Sequence, residues 1–328
     1  MFKKLVLLML GLALSLSACG NIQVGNEADI VRTRRVKLPM GYIPNIQYAP
    51  FYVAVDKGYF AEEGIELEFD YSFETDGVAL VGAGELPFAL ASGEQVLLAR
   101  SQGLPVVYTF AWYQQFPISI ISAPELNIHE PTDLRGQTIG LPGLFGANYI
   151  GLQALLFSAG LTPEDVKIDA IGFNQVEAFA AKQKNIVVGY VANEPIVLRS
   201  LGYEVNELRV ADYVQLTANG ILSSELTIKN EPELVRSMAR AFAKGIADTI
   251  ANPDAAYTIS LKFVENLADQ DKVVQLQILQ TSIEFWKAEK IGYSDPQAWE
   301  NMNDLLVKME LIPAPLDLSK AFTNEFVP

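Results

Sequence analysis

From residue 36 onward the chain alternates short apolar runs with stretches written at helical spacing. Val36, Leu38 and Met40 alternate with Lys37, Pro39 and Gly41, which predicts a strand even though Pro39 removes one ladder donor. Phe51, Ala54 and Val55 then fall at i, i+3 and i+4, Pro50 suits a first helical turn, and Gly58 stands where a left-handed cap belongs. Ile65, Leu67 and Phe69 alternate with Glu66 and Glu68 as a second strand, so the unit reads βαβ. A short apolar helix is expected at 77–83, and buried strands at 87–91 and 105–111 flank a helix at 96–102. Ser92-Gly93-Glu94-Gln95 has the S-x-x-Q spacing of a capping box, so Ser92 is expected to accept from the backbone of Gln95.

The same pattern recurs at 114–217, with strands expected at 118–121, 138–141, 166–171 and 186–191 and helices at 150–159, around Ala178 and at 196–201. Around 216–220 the chain is expected to return to the first sheet, because the text that follows reads as helices at 232–251, 253–263, 271–286 and 296–309 and needs a sheet to cover. The reading is α/β in two lobes, one formed by 36–113 with 218–328 and the other by 114–217. Open α/β sheets bind ligands outside the carboxyl ends of their strands, so the turn carrying Asn45, Gln47 and Tyr48 is expected to form one jaw of a cleft.

The first residues follow a different grammar. Lys3 and Lys4 precede an apolar run over 5–14 and then Leu16-Ser17-Ala18-Cys19, the pattern of a bacterial lipoprotein signal whose cleavage leaves a lipidated Cys19 at the new terminus. The run is too short for a comfortable membrane span of roughly 20 residues, so attachment through lipid is expected, with 20–35 as a flexible tether. Removing the signal moves the formal charge from −15 to −17, which repels nucleic acid, and no basic stripe offsets it.

Catalytic and metal chemistry lack parts. Cys19 is the one cysteine and His129 the one histidine, the latter in a loop beside Glu130-Pro131, so thiol catalysis, disulfides and a transition-metal ligand set are excluded. Gly143-x-x-Gly146 opens a helix without the spacing or the lysine of a phosphate loop, and reads as a place where backbone approaches a neutral ligand. What remains is aromatic and amide side chains at helix starts. Tyr48, Trp112, Tyr113, Phe145, Tyr149 and Tyr190 offer flat walls, and Asn45, Gln47, Ser92, Gln114, Asn148, Asn193 and Asn219 offer donors and acceptors. Glu94 and Glu194 lie in these turns and no lysine or arginine does, which favours a neutral ligand with N–H or hydroxyl donors over a sulfonate or phosphate.

Pro44-Asn45, Ala49 to Ala54, Lys57 to Ile65, Leu97 to Arg100, Gly103 to Val107, Asp133 to Gly136 and Asn219 to Ile221 together resemble the thiamin-precursor and sulfonate branch of type II substrate-binding proteins of ABC importers. The runs 141–153 and 189–195 are most similar to bacterial riboflavin-binding lipoproteins. The resemblance implies a periplasmic-binding-protein type II fold, a hinge of two crossing strands, closure on a small vitamin and delivery to a membrane permease by a monomer. By that likeness, Tyr48, Trp112 and Tyr149 would stack on an isoalloxazine ring. Asn45, Gln47, Ser92, Asn148 and Asn193 would hydrogen-bond, and Glu194 would accept from hydroxyl or ring N–H groups. Pyrimidine binders for a thiamin precursor share the fold and are the alternative. A related enzyme that builds the thiamin pyrimidine consumes its own histidine and carries a cysteine-rich segment, and this chain has neither.

Overall fold

Strand β1 (Arg34–Gly41) opens the part of the chain that the computed structural model describes, residues 33–328, so the signal, Cys19 and the tether up to Arg32 lie outside the described residues. Arg34 and Arg35, read from sequence as tether, already pair with Ile65 and Glu66. The strand keeps Pro39 inside it, and the register with its parallel neighbour β2 (Ile65–Phe73) shifts between Pro39 and Gly41, where a residue without an N–H leaves the ladder incomplete. Between them lie α1 (Ala49–Asp56) and α2 (Tyr59–Glu62), separated by Gly58 at φ 79°. The βαβ reading therefore holds, with β2 running four residues past its expected end at Phe69.

Helix α3 (Glu74–Gly82) leads to β3 (Phe88–Ser92), α4 (Gly93–Ser101) and β4 (Val106–Ala111). The second sheet is built from β5 (Ile118–Ser122), β6 (Thr138–Leu141), α5 (Gly146–Ser158), β7 (Lys167–Ala170), α6 (Gln175–Ala180), β8 (Ile186–Tyr190), α7 (Glu194–Ser200) and β9 (Asn206–Arg209). Its order is β7-β6-β8-β5-β9, with β6 parallel to both β7 and β8 and with β5 antiparallel to β8 and β9. The chain then returns as β10 (Asn219–Ser224), which inserts antiparallel between β3 and β4, while the parallel pair β1-β2 is a separate two-stranded sheet whose β1 packs beside β3; these five strands together make the first sheet layer. The return was expected; its continuation as a central strand was not, because Asn219-Gly220 looks like a turn and only the neighbours on both sides satisfy its backbone.

The remaining text is helical as expected: α8 (Glu225–Asn230), α9 (Pro232–Ala251), α10 (Pro253–Ser260), α11 (Lys272–Trp286) and α12 (Pro296–Lys308). Helix α9 covers the first sheet by stacking Phe242 on Phe51 of α1, with ring centroids 3.8 Å apart. That approach depends on Gly245, where a Cβ would stand 2.2 Å from the carbonyl oxygen of Pro50. A large apolar core runs through both sheets, a smaller separate one of Ile121, Ala123, Phe179, Val187 and Leu198 lies against the second, and the chain passes between the sheets twice, at 112–117 and 213–218.

Candidate functional site

Four turns of the first sheet face three turns of the second across a cavity of about 480 Å³. In the turn after β1, the Oδ1 of Asn45 accepts the N–H of Gln47 at 2.8 Å, which caps a short 3₁₀ turn over Ile46–Tyr48. Gln47 reaches back to donate to the hydroxyl of Ser282 at 3.4 Å. Tyr48 is 6% exposed, donates to the carbonyl of Met40 at 2.8 Å, and stacks on Trp112 with centroids 5.6 Å apart. Trp112 is edge-on to Phe51 and Tyr113, and its indole Nε1 has no partner. Tyr48 and Trp112 thus line the cavity, each with one ring face taken up by the other.

The aromatic faces left open stand at the mouth. Tyr42, Phe73, Phe145 and Phe173 all line the cavity and are 39%, 68%, 63% and 52% exposed. Tyr42, from the first sheet's side, meets Phe173, from the second, with centroids 5.7 Å apart. Large aromatic surfaces left in water at the rim of a cavity are what a planar ligand would cover.

Helix α3 starts directly at the end of β2, which puts Glu74 on the floor. Its Oε1 accepts from the Ser92 N–H at 2.9 Å and from Asn219 Nδ2 at 3.2 Å, and its Oε2 accepts from the Ser92 hydroxyl at 3.0 Å. Ser92 therefore forms no capping box: its Oγ lies against Glu74 and, at 2.5 Å, against Glu94, leaving Gln95 free to line the cavity. Burial and the neighbouring Glu94 push Glu74 up to about 8, and burial raises Glu94 as well.

On the opposite wall Glu194 opens α7, its Oε2 accepting from the Tyr190 N–H at 2.7 Å and its Oε1 from Gln175 Nε2 at 3.4 Å. Gly189 makes room for that carboxylate, since a Cβ there would stand 2.6 Å from Oε2. Burial pushes Glu194 up to about 7. The Tyr48 and Tyr190 hydroxyls are raised well above their ordinary range by burial, and Tyr113 to about 12 for the same reason, so all three are neutral donors at pH 7.

Of the residues expected from sequence, the cavity brings together Asn45, Gln47, Tyr48, Trp112, Tyr113, Phe145, Asn148, Tyr190, Asn193, Glu194 and Asn219. It does not include Ser92 and Glu94, which are fully buried behind the floor, or Gln114, which turns back to the carbonyl of Ala111. Tyr149 is also outside it: α5 begins at Gly146 rather than 150, which puts Tyr149 inside its first turns, half-buried against the core. The space beside Gly143 is filled by the ring of Phe145, 2.2 Å from where a Cβ would be, so this glycine accommodates a side chain rather than a ligand. Sequence reading missed Tyr42, Phe73, Glu74, Thr75, Gln95, Phe173 and Gln175. The signal for Glu74 was present, an acidic first turn after a strand, but with β2 ended at Phe69 the turn at 73–75 had no element to belong to.

The lining holds no lysine, arginine or histidine, and among the described residues no group of three acidic, histidine or cysteine side chains is placed to hold a metal. The arrangement suits binding: carboxylates and phenols at the base, open aromatic faces at the rim.

Residues 45–256 match the family model described as NMT1/THI5 like, which spans more than half of the chain. The chain belongs to the NMT1/THI5-like family. Within the family's reach, it is 46% identical over 303 residues to riboflavin-binding protein RibY of Chloroflexus aurantiacus, covering 90% of this chain and 86% of the relative. It is 28% identical to the formylaminopyrimidine-binding protein of Halalkalibacterium halodurans over 98% of both chains. The periplasmic aliphatic sulphonate binding protein SsuA from Escherichia coli superposes with a TM-score of 0.72 at 12% identity, covering 88% of this chain and 92% of that one, which establishes a shared periplasmic-binding-protein fold. These family and fold relatives are binding proteins, in keeping with the substrate-binding, non-enzymatic reading of the sequence.

Proposed function

We propose that this protein is the lipid-anchored, extracytoplasmic solute-binding component of an ABC importer, and that its ligand is riboflavin. The observation that carries the reading is the cavity itself: open aromatic faces from both sheets, two carboxylates and no cation. A neutral heterocycle with hydroxyl and N–H donors matches that inventory, and the 46% identity to RibY supports riboflavin in particular. Two lobes, 36–113 with 218–328 and 114–217, would close about the crossings because a ligand touches both walls only when they are near. The closed monomer would then hand its ligand to a permease.

Titration of intrinsic riboflavin fluorescence with purified protein tests the ligand, and submicromolar quenching is expected. Tight formylaminopyrimidine binding with no response to riboflavin would instead favour the second reading, which the 28% identical relative supports. The anchor is tested separately: Cys19→Ala should abolish metabolic labelling with a fatty-acid analogue and release the protein from membranes, and unchanged labelling would remove the lipoprotein reading.

A further inference from the structure

Behind the cavity floor, three oxygens form a line: Glu74 Oε2, Ser92 Oγ at 3.0 Å from it, and Glu94 Oε1 a further 2.5 Å on. A serine hydroxyl has one proton and can serve only one of these contacts. The other needs a proton on a carboxyl, so the two glutamates carry one negative charge between them at neutral pH. The donor count says where that charge sits. Glu74 accepts from the Ser92 N–H, the Asn219 amide and the Ser92 hydroxyl, whereas Glu94 is fully buried and its Oε2 has no partner. A carboxylate with three donors is stabilised as an anion, and one enclosed without them is stabilised as the acid. Both groups are raised, Glu74 by burial and the Glu94 charge and Glu94 by burial, as befits a pair that shares one proton; its placement on Glu94 rests on the donor count alone.

We propose that Glu74 is a specificity-determining acceptor of the cleft and Glu94 its positioning partner, with Glu94 holding the proton that leaves Glu74 as a single carboxylate aimed at a ligand N–H or hydroxyl. This rests on the solute-binding reading above and adds to it a ligand class. The molecule captured has donors at two ends, one for Glu74 on the first wall and one for Glu194 on the second, and a phosphorylated or sulfonated form is rejected by both. The Nε1 of Trp112 is a buried donor in the lining without a partner, left for a ligand acceptor. Groups facing the pair are Glu194 across the cavity, raised by burial to about 7, and the phenols of Tyr48, Tyr108, Tyr113 and Tyr190, which are raised by burial and neutral at pH 7.

The test uses the full protein and three variants, Glu74→Gln, Glu74→Ala and Glu94→Gln, titrated with riboflavin and with formylaminopyrimidine. Loss of the charged acceptor is expected to weaken binding by about tenfold or more in both Glu74 variants, while Glu94→Gln, an amide in place of a neutral acid, stays within about threefold of wild type. From about pH 7 to about pH 9 the wild type should lose affinity relative to Glu94→Gln, since only the wild type can shed the shared proton, and Glu194 titrates in both. In ligand-free protein, the infrared stretch of a protonated carboxyl at pH 7 should be weaker in Glu94→Gln. Glu74→Gln binding as tightly as wild type, or Glu94→Gln failing as badly as Glu74→Gln, would overturn the assignment. If wild type binds neither ligand, the solute reading falls, and the infrared band alone decides whether the proton is shared.

Discussion

Phe73 and Phe173 are the residues on which the ligand reading can be tested with least disturbance, because both are more than half exposed and the one ring contact Phe173 makes is with the partly exposed Tyr42. Replacing either by alanine should weaken riboflavin binding by about three- to tenfold, the worth of one aromatic stack, with the urea midpoint unchanged. Tyr48 is a different case. It is 6% exposed, packed on Trp112 and Tyr52, and bonded to Met40, so Tyr48→Ala should destabilise the protein by about 3 to 5 kcal/mol, and its binding loss would follow from unfolding. Glu194 sets a pH dependence with a definite sign. Its folded value of about 7 lies above the ordinary 4.5, so the folded state binds more protons between those values. Its contribution to ligand-free stability is full below about 4.5 and is lost as pH rises through about 7, at most about 3 kcal/mol. Glu194→Gln should flatten that part of the urea-stability profile between pH 5 and pH 8, with the Glu74–Glu94 pair contributing a parallel fall up to about 8.

Among the elements, α9 matters most for keeping the first wall in place, since it backs α1 and the aromatic cluster of Phe51, Phe110 and Trp112. Gly245→Val would drive a branched side chain into the backbone of Pro50 and into Ala54. A cost of about 1 to 3 kcal/mol or more is expected, read as a lower urea midpoint, together with weaker ligand binding as α1 moves the turn at 43–48. Most elements were legible in the sequence because their periodicity is local: Phe51, Ala54 and Val55 on α1, Asp271 capping α11, Asp295 capping α12. Strand β10 was not, because Asn219-Gly220 carries a turn signature and becomes a strand only between β3 and β4. The start of α5 was placed late for a related reason: its first residue is Gly146 at φ 65°, which reads as loop.

At the scale of the whole molecule, an excess of acidic side chains surrounds a cavity with no cation in its lining. Binding of a neutral ligand should therefore change less than about twofold between low and high salt, whereas an anionic ligand would show a clear dependence. At a hundredfold excess over Kd, the ligand should stabilise the protein by about 2.7 kcal/mol, raising Tm by about 4 °C for a fold of this size. Closure should lower the radius of gyration in solution scattering, and an unchanged radius at saturation would argue against two lobes moving.

By itself the sequence determined the class of fold, the position of the cleft-facing turns at 43–48, 142–149 and 190–194, and the absence of histidine, thiol and basic chemistry from them, because all three depend on local pattern and composition. Tertiary structure alone decided which side chains in those turns are free. Tyr48 and Trp112 were chosen for their chemistry, and packing turned them onto each other. Phe73, Glu74 and Phe173 come from unremarked turns, and only the approach of the two sheets places them around one cavity. Ser92 and Glu94 have the spacing of a cap, but Glu74, eighteen residues upstream of Ser92, competes successfully for the serine. A buried carboxylate needs donors more than a helix end needs one more acceptor, and no local pattern shows which buried charge will be near.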